Sequence, residues 1–173
     1  MLLTETINKS TSAVKKRRIA VESKQQAENY AKALAQLSQA TSSIKATLEC
    51  ATALRNSGII DTPLMESTAR EELLSCINDC GSGVAEIKLT LDAVKLLQSK
   101  GDAFASQLKL SWKTAAERYS EGTKGYLSMI GGLSPNPQRA RELADNITKS
   151  ASSDPTTKSI SSLVSDVAEA KQI

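Results

Sequence analysis

Cys76 and Cys80 carry the most chemically suggestive spacing in the chain. Four residues apart on a helix, two thiols share one face and offer a metal two thiolate ligands. The third cysteine, Cys50, stands alone, no CxxC occurs, and the 173-residue chain has no histidine. A zinc site would have to complete itself with carboxylates or with ligands from a partner. Small buried or half-buried helix residues in a reducing compartment are the simpler reading of all three. No metal and no cofactor is expected.

Other familiar chemistry is missing. Gly122-Thr123-Lys124-Gly125 and Gly131-Gly132 do not match a phosphate loop, because no GxxxxGK[ST] occurs and no strand pattern precedes them. Acidic pairs such as Glu71-Glu72 lie among alternating charges with no base converging on them. Catalysis needs groups with perturbed pKa in a concave site, and nothing here points to one. The expectation is a protein that is not an enzyme.

Lys15, Lys16, Arg17 and Arg18 form the densest charge. Successive residues turn by about 100° on a helix, so four of them sweep nearly its whole circumference and cannot all share one solvated face. With Lys9, Lys24 and Lys32, the first 32 residues hold seven basic and three acidic groups. A solvated helix start is the plain account. Residues 9–24 also suit contact with nucleic acid, anionic lipid or an acidic protein surface.

The aromatic residues are the second marker. Phe104, Trp112, Tyr119 and Tyr126 are four of the five in the chain and fall within 23 residues. Core packing under later helices accounts for them most simply, and a binding surface is the other reading. Trp112, Tyr119 and Tyr126 join the four basic residues as candidates for partner contact.

The elements that hold these residues are helical. Tyr30, Leu37, Ile44 and Ala51 recur every seven positions, with Leu34, Thr41, Leu48 and Arg55 beside them. Spacings alternating four and three draw one stripe on an α-helix. The repeat reaches back through Ala13, Ala20 and Ala27, flanked by Val14 and Val21, so a helix is expected over about 11–56, after a frayed lead-in. Lys16 falls in the seam row, and Gly58 supplies a left-handed stop.

Thr62-Pro63 reads as an N-cap followed by proline at the first helical position. From there Leu73, Cys80, Ile87, Val94, Gly101, Leu108 and Ala115 form one row at sevens. Ile77, Val84, Leu91, Gln98, Ala105, Trp112 and Tyr119 form the other. The phase does not slip at Gly81-Ser82-Gly83, so one helix is expected over about 63–120, bent there and at Gly101. Two shorter helices are the alternative.

The short connector makes residues 1–120 a long antiparallel, coiled-coil-like hairpin in which position i faces roughly 118 minus i. Tyr30 then lies near Lys88 and Thr11 near Gln107, and Trp112 and Tyr119 run past the start of the first helix. Residues 121–136 read as a Gly-rich connector. In 137–173, Asn136-Pro137 and Asp154-Pro155 each start a short helix, and both helices are expected to cover the open end of the hairpin.

Composition agrees with an all-α class. Ala, Ser and Thr make up about a third of the residues and aromatics 3%, which favours a thin bundle over a thick core. The net charge of +3 is small and does not by itself announce a nucleic-acid binder. No run of 18 apolar residues occurs, so no transmembrane segment is expected. The start, MLLTETINKS, lacks the pattern of a cleavable signal. A cytoplasmic protein, or one exported without such a signal, is therefore expected. The function expected is that of a helical structural or adaptor subunit, binding a protein partner or itself through helix seams.

Overall fold

The computed structural model describes residues 2–60, 64–130, 133 and 135–173, with side chains in the first helix from Ser10 onward. The described residues form five helices and no strand: α1 (Leu2–Asn56), α2 (Ser67–Ala85), α3 (Leu91–Ile130), α4 (Pro137–Ser152) and α5 (Thr157–Ala170). The all-α helical architecture expected from the heptad spacing is the one observed. By packing, the chain divides into two compact units, Met1–Thr41 with Leu73–Gln98, and Ser42–Glu72 with Ser99–Ile173.

α1 runs without Gly or Pro from its first turn, so the lead-in expected to fray is helical. It ends where expected, at Gly58 with φ 69°. The restart at Thr62-Pro63 lies outside the described residues. α2 begins only at Ser67, after a non-helical Leu64–Glu66.

In the first unit, Ala33 and Ala40 of α1 are buried together with Leu73, Cys76 and Cys80 of α2 and Leu89, Val94 and Leu97. The Tyr30 hydroxyl donates to the Val84 carbonyl at 3.3 Å, one helical turn from the partner that the hairpin rule assigns to it.

The seam is displaced from the one the repeat suggested. Leu34 and Leu48 are 38% and 44% exposed, while Ala33, Ala40 and Leu54 are buried. The row beside Tyr30, Leu37, Ile44 and Ala51 is therefore the one three residues on, which carries alanines where helices approach closely.

The expected single helix over 63–120 is corrected: it is two helices with a turn at Glu86–Thr90. Ile87 takes φ 56°. Its amide donates to Val84 O at 3.2 Å, and the Lys88 amide to Gly83 O at 2.7 Å. This is a Schellman cap with isoleucine in the place glycine usually fills. Thr90 then caps α3, its hydroxyl accepting from the Ala93 amide at 3.2 Å. The repeat keeps its phase across this turn. The glycines at 81 and 83 stay helical, and α3 passes through Gly101 without a break.

Because the chain reverses at residue 87, the second half of the expected long helix lies elsewhere. Thr11 and Gln107, expected to face each other, fall in different units. In the second unit Ile44 meets Gly101, and Cys50 lines the same groove as Leu108. α3 there runs parallel to the end of α1.

The core of the second unit joins Cys50, Ala51 and Leu54 of α1 to Phe104, Leu108, Trp112, Ala116 and Leu127 of α3. α4 adds Leu143 and Ile147, and α5 adds Ile160, Leu163 and Val167. Ile59, Ile60, Leu64 and Met65 pack against the same cluster. The C-terminal helices therefore sit against the end of α1 and the turn after it, which corrects their placement past its start. α3 extends through Gly122 and Gly125 to Ile130, so the expected connector over 121–136 is helical for its first ten residues; Gly131-Gly132 lies outside the described residues.

α4 starts as its sequence indicates, with Asn136 accepting from the Arg139 amide at 3.1 Å. α5 is capped two residues later than expected, by Thr156 in a capping box with Ser159. At the far end of this pair, Arg139 grips Glu169 through two bonds of 2.7 Å.

Candidate functional site

Lys15, Lys16, Arg17 and Arg18 stand on a part of α1 that no described residue covers. Every residue from Ser10 to Asn29 is exposed, and cover begins at Tyr30. The cause is local. Carried backward, the two seam rows read Gln26, Ser23, Ile19 and Lys16, and polar side chains at seam positions remove the apolar area that drives helices together. Ile19 accordingly stands 63% exposed, as do Val14 at 67% and Val21 at 66%.

Local pairs support the helix instead. Arg18 reaches Glu22 at 2.9 Å and Lys24 reaches Glu28 at 4.0 Å, each of the i, i+4 kind that contributes a few tenths of a kcal/mol, roughly 0.2–0.5. Lys15, Lys16 and Arg17 enter no ion pair among the described residues. At about 100° per residue the cations point all the way round the helix axis, and Val14 and Ile19 fall on different sides.

Phe104, Trp112, Tyr119 and Tyr126 belong to the second unit and the basic run to the first. Trp112 is 1% exposed, with its indole Nε1 donating to the Ser153 carbonyl at 2.9 Å. It is a core residue held under the link between α4 and α5, not an open contact. Tyr119 is half-buried, with the Lys171 ammonium 6.0 Å from its ring centroid. Tyr126 is 46% exposed on the last turns of α3.

The cysteines are buried and unpaired. Burial pushes the thiols of Cys50 and Cys80 up from their ordinary value, with the charges of Cys76 and Asp79 adding to the effect at Cys80. A thiol held in its protonated form is a poor metal ligand and a poor nucleophile. Among the described residues, no group of three Cys, Asp or Glu side chains is placed to hold a metal ion.

One feature had no signal in the sequence. A shallow groove of about 350 Å³ in the second unit is lined by Thr47, Cys50, Ala105, Leu108, Lys109 and Thr156, among others. Its walls come from three places far apart in the chain. At its edge Lys109 pairs with Asp154 at 3.1 Å, and Glu49 faces Lys45 at 3.9 Å. No described helix is long and apolar enough to cross a membrane. No protein-family model matches the chain, and neither a curated protein nor a solved structure matches it closely enough to count as a relative.

Proposed function

We propose that this chain is a non-enzymatic helical interaction protein, a structural or adaptor subunit of a larger assembly or oligomer, which offers the first half of α1 to a partner. The observation that carries this reading is the uncovered helix over Ser10–Asn29. Helical stability comes mostly from tertiary packing, which the described residues do not give this stretch, and its exposed Val14, Ile19 and Val21 are apolar area that a partner would cover. The buried, unpaired cysteines suit a reducing, cytoplasmic setting. Sedimentation velocity over a wide concentration range, with affinity purification from native lysate, tests the reading. Concentration-dependent association or one stoichiometric partner, lost when residues 2–29 are removed, is the expected result. A monomer at all concentrations that recovers nothing specific would count against it.

A second reading rests on the arrangement of the cations. Lys15, Lys16, Arg17 and Arg18 surround the helix rather than lining one face. A flat anionic membrane is best met by a helix with one apolar and one basic side, whereas a helix basic all round suits a polyanion that flanks it, such as a nucleic-acid groove. Changing Lys15, Lys16, Arg17 and Arg18 to Gln should then remove salt-dependent binding to duplex DNA or RNA while leaving helicity intact. Equal binding by wild type and variant would exclude this reading, and nuclease treatment of the affinity eluate separates it from the first.

A further inference from the structure

The turn between α2 and α3 combines three features that a static connector does not need. Ile87 occupies the left-handed position of the cap at φ 56°. A β-branched side chain is a genuine outlier there, because its Cβ substituents crowd the backbone. Glycine or asparagine is the ordinary occupant.

The second feature is the heptad pattern. Leu73, Cys80, Ile87 and Val94 form one row and Ile77, Val84 and Leu91 the other, and the 4-3 spacing passes through residues 86–90 without a slip. No glycine or proline lies in Glu86–Thr90, so those five residues are free of any helix breaker. The folded-back form leaves part of this stripe uncovered, with Ile87 74% exposed, Val84 37% and Ile77 36%.

The third feature is the close approach that holds the turn. A Cβ on Gly83 would lie 3.1 Å from Leu89 Cα, so Leu89, at 6% exposure, seats against α2 more closely than a side chain at residue 83 allows without a small shift.

We propose that Glu86–Thr90 is a two-state element, folded back in the observed form and helical in a second form in which α2 and α3 join as one helix. The straight form relieves Ile87, gives the turn residues helical hydrogen bonds and aligns the interrupted stripe. The folded form keeps the Thr90 cap and the core of the first unit, where Leu73, Cys76 and Cys80 are buried with Leu89, Val94 and Leu97. Small changes at these residues therefore move the balance in opposite directions.

Pulsed EPR on the full chain tests this, with nitroxides on unnatural amino acids at Ser75 and Gln98 so that the cysteines stay untouched. The two sites are close when α2 packs on α3, with helix axes roughly 10 Å apart. They are about 35 Å apart along one helix at ~1.5 Å per residue. Gly83→Ala crowds Leu89 in the folded form only, residue 83 being helical in both forms, and should raise the long-distance fraction roughly fivefold or more. Leu89→Ala weakens only the folded form and should act in the same direction. Ile87→Gly should remove the long component. Short distances alone in both Gly83→Ala and Leu89→Ala would overturn the proposal, and so would a broad distribution with loss of helical circular dichroism, since that is unfolding rather than straightening.

Discussion

A methyl group on Gly101 would lie 2.6 Å from Cγ1 of Ile44 and 3.0 Å from its Cδ1. The bare backbone of α3 is thus what allows the end of α1 to run beside it. The glycine that the repeat placed in a seam row is a packing residue, not a bend.

Gly101→Ala should therefore destabilise the protein. Alanine gains about 1 kcal/mol of helix propensity, but overpacking a fitted contact costs roughly 1–3 kcal/mol. In an Ile44→Ala background the clash is absent, and the same change should stabilise. Urea unfolding of the four proteins in this cycle checks the reversal of sign; additive effects would mean that the two side chains do not meet.

Trp112 should behave as core. Trp112→Ala should cost about 3–5 kcal/mol, the usual range for deleting a buried indole. Trp112→Phe keeps most of the apolar area but leaves the Ser153 carbonyl without its donor, a loss of roughly 1–3 kcal/mol. Removing residues 136–173 takes away the helices that close over it. Emission should then shift to the red, and the bared patch should promote self-association. An unshifted spectrum and a monodisperse truncated protein would contradict the packing described for α4 and α5.

Acid should act on the α4–α5 pair with two opposite signs. The hydrogen bonds from Arg139 hold the Glu169 carboxyl below its ordinary value of 4.5. Its contribution is complete above that value and lost as pH falls through the lower folded one. Burial chiefly, with the Glu169 charge beside it, raises Asp166 above 3.8, while Arg139 opposes the shift. For Asp166 the folded state binds the extra proton, so its contribution is present below 3.8 and is lost as pH rises through the folded value. Thermal melts from pH 7 to pH 3 should show Asp166→Asn removing a decline with rising pH. Glu169→Gln should flatten the loss at the acid end. If neither variant changes the profile, these two groups are not coupled to folding.

Much of the architecture is legible in the residue pattern. The helical period, the long first helix, its stop at Gly58 and the proline-led start of α4 follow from local rules that act within a few residues. The bare stretch of α1 does not: the hairpin rule sets Thr11 against Gln107 across it, and Gln26 becomes a seam position only in the displaced row. The exposure of Lys15, Lys16, Arg17 and Arg18 follows from their charge, which needs no partner in the chain.

What folding alone settles is where distant stretches meet. Which flank of α1 is buried depends on how closely its neighbour approaches, and this selects Ala33 and Ala40 over Leu34. The reversal at Ile87 was hidden because a heptad count records only phase, and a turn of suitable length conserves phase while changing direction. That reversal moves Trp112 away from an open surface and into a core built from α1, α3, α4 and α5, and it assembles the groove beside Cys50 from segments that no local pattern connects. Period and capping are properties of neighbours in sequence, whereas reversal and enclosure depend on the summed contacts of residues far apart.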